Sequence, residues 1–327
     1  MKRILGIGNA LVDIMTLAPG DEVLEKFNLP KGSMQLVDRI TSDLVKQGTE
    51  GLPRSMSSGG SAANTIHGLA MLGCETGFIG SIGTDETGDF FEKDMKTAGV
   101  NTFLIRSMNI TGTAVAIVTP DSERTFATHL GAAIELGAPD LRPEFFEGYD
   151  IFYLEGYLIS NMDLVVKACE MAKGRGMTIA IDMASFNVVE AFLDNFTMIV
   201  DRYADIVFAN EDEARAFTGL LPDEALGKIS GSCEIAVVKR GADGSMLKRE
   251  EEIIKVGSLP VTCRDTTGAG DLYAAGFLYG YASGLDLETC GVMGSIAAGE
   301  VIRITGARMD KPGFDRIRDS ITELTNN

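Results

Sequence analysis

The 327-residue chain has no tryptophan, two histidines (His67 and His129) and five cysteines without a Cys-x-x-Cys pair. That inventory argues against a zinc site, which needs four such ligands at close spacing. Cys74, Cys169, Cys233, Cys263 and Cys290 are scattered and read as free thiols in a reducing compartment. Positive charge is scarce: 29 Lys and Arg face 47 Asp and Glu, for a net charge of −18. This balance argues against nucleic acid or an anionic membrane as a partner, and reads first as a solubility feature. It leaves room for a bound phosphate, because local backbone dipoles can outweigh the global charge. No apolar run is long enough to span a bilayer, and Met1–Gly6 reads as a first strand, not a signal peptide. The expectation is a cytoplasmic protein. Internal repeats, low-complexity segments and the G-x-x-x-x-G-K-[ST] phosphate loop are also missing. The stretch Gly6-Ile7-Gly8-Asn9 lacks the third glycine of a dinucleotide fingerprint, so a Rossmann oxidoreductase fails at that point.

Glycine is plentiful, with 38 residues, and 45% of the chain is hydrophobic, enough for a large core. The stretch Asp265-Thr266-Thr267-Gly268-Ala269-Gly270-Asp271 joins a strand-like run to residues at helical apolar spacing. Backbone N–H groups at such a helix start have no internal partner, and the helix dipole adds positive potential. Glycines let an anion approach that backbone closely. Asp271 falls in the first turn, beside the anion position. An anion pocket next to a carboxylate suits phosphoryl transfer to a hydroxyl, with the carboxylate taking the proton. The same dipole is expected to depress the pKa of Asp271. A plain tight turn capped by a dipole-favoured Asp is the structural alternative.

A second glycine loop, Gly59-Gly60-Ser61, opens a helix whose apolar stripe is Ala62, Ile66, Leu69 and Ala70, capped by Gly73. Gly59, Gly60 and Asn64 can meet a ligand hydroxyl there; the alternative is a flexible turn. Asn9 and Asp13 follow the first strand, where open α/β sheets bind ligands, and Asp13 can accept from a vicinal diol. Helices are expected near 21–28, 41–47, 86–98, 160–173, 188–203, 211–219, 287–305 and 312–325. Strands are expected at 3–8, 33–37, 77–82, 150–154, 178–182, 205–209 and 234–238. From 150 onward this is the βαβ rhythm of a parallel sheet covered on both faces. Residues 101–129 are β-rich, with a hairpin-like turn at Pro120-Asp121-Ser122-Glu123. Asn210 and Glu213 form a capping-box pattern, or hold hydrated Mg²⁺. Lys239-Arg240-Gly241-Ala242-Asp243-Gly244 is a glycine turn at a strand end, suited to a nucleotide or to a simple hairpin. Arg124, taken alone, reads as an edge residue.

The order of these motifs resembles the ribokinase-like carbohydrate kinases of the phosphofructokinase-B type over nearly the whole chain. Within that family the resemblance is to the adenosine-kinase branch, through Gly8-Asn9-Ala10-Leu11-Val12-Asp13-Ile14 and Ile302-Arg303-Ile304-Thr305-Gly306. The combination of Gly32–Val37, Gly59–Thr65 and Leu154-Glu155-Gly156-Tyr157 looks like its bacterial members. The resemblance implies one ribokinase-like α/β domain over residues 1–327. It has a central, mostly parallel sheet with helices on both faces and a small β lid at roughly 14–40 and 99–130. It implies an ATP- and Mg²⁺-dependent kinase acting on the 5′-hydroxyl of a nucleoside, adenosine above all. Asp271 is then the base, and Gly268, Ala269 and Gly270 form the anion hole. Asn9, Asp13, Gly59, Gly60 and Asn64 bind the ribose, Arg124 clamps the transferred phosphate, and Tyr157 lies against the purine. Lys239, Gly241, Gly244, Asp265 and Thr266 line the ATP site, and Glu213 and Asn210 sit near Mg²⁺. The family also admits a monovalent cation (K⁺) near 265–267. A sugar kinase for ribose, fructose or a related ketose is the alternative on the same scaffold, and a non-catalytic nucleoside sensor is the third. Lid strands can pair between subunits, so both a monomer and a lid-mediated homodimer fit.

Overall fold

Short apolar runs between glycine- and polar-rich turns set the frame. Ile4–Ile7 and Thr76–Gly83 are buried along their whole length, as strands covered on both faces must be. A computed structural model describes residues 1–121 and 123–325, so Ser122, in the expected hairpin turn, lies outside the described residues. In spatial order the main sheet runs Glu252–Val256, Ser245–Arg249, Ile235–Lys239, Ile206–Asn210, Thr178–Asp182, Ile151–Glu155, Ile4–Ile7, Thr76–Gly83 and Val100–Ser107. The strands from Ile235–Lys239 to Val100–Ser107 pair in parallel, and the other two add an antiparallel hairpin at one edge. Alternation along each strand splits the core in two. Ile4, Phe78, Tyr153 and Phe208 pack with the helices Ser61–Leu72, Ala269–Ala282 and Leu287–Val301. Leu5, Ile79, Phe152 and Val207 pack on the other face with Met162–Lys173 and Leu193–Tyr203. This is the ribokinase-like α/β architecture.

A second sheet of five strands has the order Met34–Leu36, Arg124–His129, Gly112–Val118, Leu11–Leu17 and Arg54–Gly59. Its composition departs from the bounds expected for a small β element. Val100–Ser107 joins the main sheet instead, beside Thr76–Gly83. Arg54–Gly59 joins the small one, paired antiparallel with Leu11–Leu17. The expected helix 188–203 is two helices, Phe186–Ala191 and Leu193–Tyr203, interrupted at Phe192, whose backbone (φ −130°, ψ 36°) leaves the helical region. An unexpected helix, Pro222–Ile229, starts with proline in its first turn, where the missing N–H costs nothing.

Candidate active site

Polar residues end or follow five neighbouring parallel strands. Asn9 follows Ile4–Ile7, and Glu155, Asp182, Asn210 and Lys239 are the last residues of their own strands. In an open parallel sheet this edge is where ligands sit. A cavity of about 1550 Å³ lies over these ends and is lined from both sheets. It takes in Asn9, Asp13, Gly60, Asn64, Tyr157, Asn210, Glu213, Lys239, Gly241, Gly244, Thr266 and the whole run Gly268–Asp271. Of the residues singled out in the sequence, Gly59, Arg124 and Asp265 are not in its lining.

The helix Ala269–Ala282 starts from Gly268, whose φ of 76° is left-handed. A side chain there would run into Ala307, so glycine answers both the backbone and the space. Asp271 stands in the first turn. Its Oδ1 accepts from the Ser61 hydroxyl at 2.7 Å and its Oδ2 from Asn64 Nδ2 at 2.9 Å. The expectation of a depressed pKa is overturned. Burial pushes the Asp271 carboxyl up to about 6, against the relief from Asn64, Ser61 and Lys239 and with Asp182 adding to the rise. Desolvation outweighs the two hydrogen bonds and the Lys239 ammonium.

Lys239 pairs with Asp182, Nζ to Oδ2, at 2.8 Å. The same Nζ lies 3.1 Å from where a side chain would begin at Gly270, so the ammonium abuts the glycine loop. Burial works against its charge, but Asp182 and Glu213 more than reverse this and hold the pKa above the ordinary lysine value. Asn210 and Glu213 form the capping box. Asn210 Oδ1 accepts from Glu213 N–H at 2.8 Å, while the Glu213 carboxylate accepts from Asn210 N–H and Nδ2, both at 2.7 Å. Burial raises the Glu213 carboxyl to about 7, with Lys239 opposing and Asp182 adding. Among the described residues no cluster of three His, Cys, Asp or Glu could hold a metal ion directly. Asn210 engages both Glu213 carboxylate oxygens and Lys239 engages Asp182, so of the expected pair Glu213 and Asn210 neither offers a free carboxylate, and only Mg²⁺ that keeps most of its water would fit beside them.

Glu155, 1% exposed, ties the segment at Asn9 to the start of the helix Ser61–Leu72. It accepts from Asn9 Nδ2 at 2.7 Å, Asn9 N–H at 3.2 Å and Ala62 N–H at 2.9 Å. Burial pushes its carboxyl up to about 7. Gly60 has φ 100°, and a side chain there would strike the Asn9 carbonyl. Burial also lifts Asp13 to about 6, with Arg308 pulling it down and Asp271 pushing it up.

Arg124, 8% exposed at its side chain, forms an ion pair with Asp265 and donates to Thr267 Oγ1 at 2.5 Å. Asp265 also accepts from the N–H groups of Thr267 and Gly306. The guanidinium expected on a phosphate is thus engaged by the loop that precedes Gly268. Tyr157 lines the cavity among carboxylates, and burial together with Glu155 and Asp271 raises its phenol pKa. The aromatic that stands among apolar groups is Phe126. Strand alternation puts Phe126 on one face with Leu11, Met34, Leu36 and Ala114, all of which line the cavity. Glu155, Asp182, Ser61 and Phe126 were missed as site residues in the sequence. For the first two the signal was present, a charged residue closing an otherwise apolar strand.

The pfkB family carbohydrate kinase model matches residues 36–312. A probable sugar kinase from Rhizobium etli superposes with a TM-score of 0.89 at 32% identity, covering 99% of this chain and 98% of that one. The adenosine kinase from Sinorhizobium meliloti superposes with a TM-score of 0.88 at 34% identity, covering 98% and 99%. An uncharacterized sugar kinase of Archaeoglobus fulgidus is 30% identical over 75% of this chain and 98% of its own length.

Proposed function

The chain belongs to the pfkB family of carbohydrate kinases, and from that premise we propose that it phosphorylates the 5′-hydroxyl of a nucleoside, adenosine above all, with ATP as donor. The observation that carries this reading is the largely apolar wall that shares a face of the small sheet with Asp13. Leu11, Met34, Leu36, Ala114 and Phe126 offer no side-chain hydrogen-bond partner there, and Thr128 is the polar side chain among them. A free sugar, hydroxylated all round, would leave hydroxyls unpaired against that wall, at a cost of roughly 1–3 kcal/mol each. A purine ring buries its faces there, while the ribose diol turns to Asp13, Asn9 and Asn64.

In this reading Asp271 accepts the proton of the 5′-hydroxyl as the oxygen–phosphorus bond forms and the bond to the ADP oxygen breaks. The N–H groups of Gly268 and Gly270 take up charge on the transferred phosphoryl, while the Ala269 N–H expected beside them is donated to the Thr266 carbonyl at 3.1 Å, and Lys239 adds an ammonium beside Gly270. A base with a pKa near 6 is ionised at neutral pH yet basic enough to help late in the transfer. Glu213 and Asn210, with Asp182 nearby, would hold hydrated Mg²⁺ through its waters, and the ion would screen the phosphate charge. The small sheet covers the site and keeps water from the donor.

The test is ADP release from MgATP with adenosine, inosine, ribose and fructose side by side. A kcat/KM for adenosine at least about a hundredfold above that for ribose supports the nucleoside reading. Turnover of a free sugar in preference keeps the chemistry and assigns the site to a sugar.

A further inference from the structure

Arg308 lies between the helices Leu287–Val301 and Lys311–Thr325, far in sequence from the acceptor loops. Yet its side chain runs to Ser58. Arg308 Nε donates to the Ser58 carbonyl at 2.7 Å, and Nη2 donates to the Ser58 hydroxyl at 2.6 Å. The hydroxyl and N–H of Ser58 donate onward to Asp94 Oδ2 at 2.5 and 3.1 Å. Nη1 is buried and has no hydrogen-bond partner among the described residues. Ser58 pairs with Val12, and Ser57 with Asp13, in the register of Leu11–Leu17 against Arg54–Gly59. The Asp13 carboxyl lies over Gly59 so closely that a side chain there would overlap its atoms at 2.3–2.5 Å. Arg308 therefore grips the strand next to Asp13, immediately before the glycine pair that opens the acceptor loop.

The charges around this point are few. Asp13 is influenced by Arg308 and by Asp271, of opposite signs. Arg308 in turn feels Asp94, Asp13 and Asp271. His67, from the helix Ser61–Leu72, is held neutral by burial, with Arg308 adding to the effect. Among the described residues no donor hydrogen-bonds the Asp13 carboxylate. Asp13 and Asp271 thus feel each other in one cavity, and the cation on the Asp13 side is a guanidinium with an unspent buried N–H.

We propose that Arg308 is a positioning residue for the acceptor: it fixes the strand end at Ser58 and supplies the positive charge that Asp13 needs to receive a diol. This rests on the reading that Asp13 holds the acceptor's hydroxyls. The consequence is that Arg308, outside the cavity lining, sets acceptor affinity without touching the acceptor.

The experiment uses the full chain with Arg308→Gln, which keeps a donor toward Ser58 and removes the charge, and Arg308→Lys, which restores the charge. Thermal melts confirm that each variant is folded. Carboxyl ¹³C spectra of aspartate-labelled protein follow the Asp13 titration, its signal assigned by loss in Asp13→Asn. The wild-type midpoint near 6 moves up by about one pH unit or more in Arg308→Gln and returns toward wild type in Arg308→Lys. In steady-state assays Arg308→Gln raises the KM for adenosine about tenfold and leaves the KM for ATP within about twofold. An unchanged Asp13 midpoint in Arg308→Gln overturns the proposal, even with a raised KM, since that pattern is only structural. A shifted midpoint with an unchanged adenosine KM also overturns it. Asp13→Asn then locates the fault: if it raises that KM, Arg308 is at fault, and if it does not, Asp13 does not hold the acceptor. If the wild type does not turn over adenosine, the nucleoside reading falls, and the titration alone decides the Arg308–Asp13 pairing.

Discussion

The Ser61 hydroxyl donates to Oδ1 of Asp271 at 2.7 Å and so ties together two glycine loops 210 residues apart. One loop opens the helix that carries Asn64, the other the helix that carries the candidate base. The base is therefore held by the element that would also hold the acceptor. A hydrogen bond to an ionised carboxylate favours the ionised form, so its removal makes Asp271 harder to deprotonate. In Ser61→Ala the acid limb of the kcat/KM profile for the acceptor shifts to higher pH. Activity at pH 6 falls by about threefold to tenfold, and activity at pH 8 changes little. A limb that stays in place separates Ser61 from Asp271.

Stability carries the mark of the same burial. Asp13, Glu155, Glu213 and Asp271 all have folded pKa values raised above those of free carboxyls, to about 6 or about 7. Between about pH 4 and pH 7 the folded chain thus holds more protons at these sites than the unfolded one. Their contribution to stability is full below the unfolded values and is lost as pH rises through the folded values. Urea midpoints at pH 5 and pH 7.5 measure it, and Glu155→Gln reduces the loss across that interval.

Glu155 is the acceptor for three donors, two on Asn9 and one on Ala62 in the first turn of the helix Ser61–Leu72. Glu155→Ala leaves those donors buried without partners and costs about 3 kcal/mol or more in urea unfolding. Glu155→Gln keeps a carbonyl oxygen as acceptor and loses less. Both raise the KM for the acceptor before the KM for ATP.

Arg124 and Asp265 join the small sheet to the loop before Gly268. Removing one partner strands the other. Arg124→Met or Asp265→Asn alone destabilises the fold by about 3–5 kcal/mol, and the double variant costs less than the sum. Faster hydrogen exchange at the Thr267 and Gly268 amides of Arg124→Met reports the loosened loop. Additive single and double variants would show that the pair does not act as a unit.

The glycine loops were legible because two independent signals coincide there: small residues, and a change to helical spacing. The parallel sheet was legible because strands buried on both faces leave uninterrupted apolar runs. Arg54–Gly59 gave no such signal, since Arg-Ser-Met-Ser-Ser-Gly is a half-exposed edge strand without apolar alternation. Val100–Ser107 looked like the β-rich residues after it, and only its pairing with Thr76–Gly83 sends it to the main sheet. Glu155 and Asp182 were visible as charged ends of apolar runs, but became site residues only when neighbouring strand ends lined up. The Asp271 pKa was out of reach of sequence because burial is the largest cause of its rise, and only the assembled cavity buries it. Arg308 was hidden for a related reason: its partner Ser58 lies 250 positions away.

The most direct measurement compares wild type with Asp271→Asn at pH 7.5, following both ADP release in the presence of the acceptor and equilibrium binding of MgATP. The account predicts that kcat falls by about 10²–10⁴ while the Kd for MgATP changes by less than about threefold. Turnover of Asp271→Asn within about threefold of wild type would contradict the assignment of Asp271 as the base on which the mechanism is built.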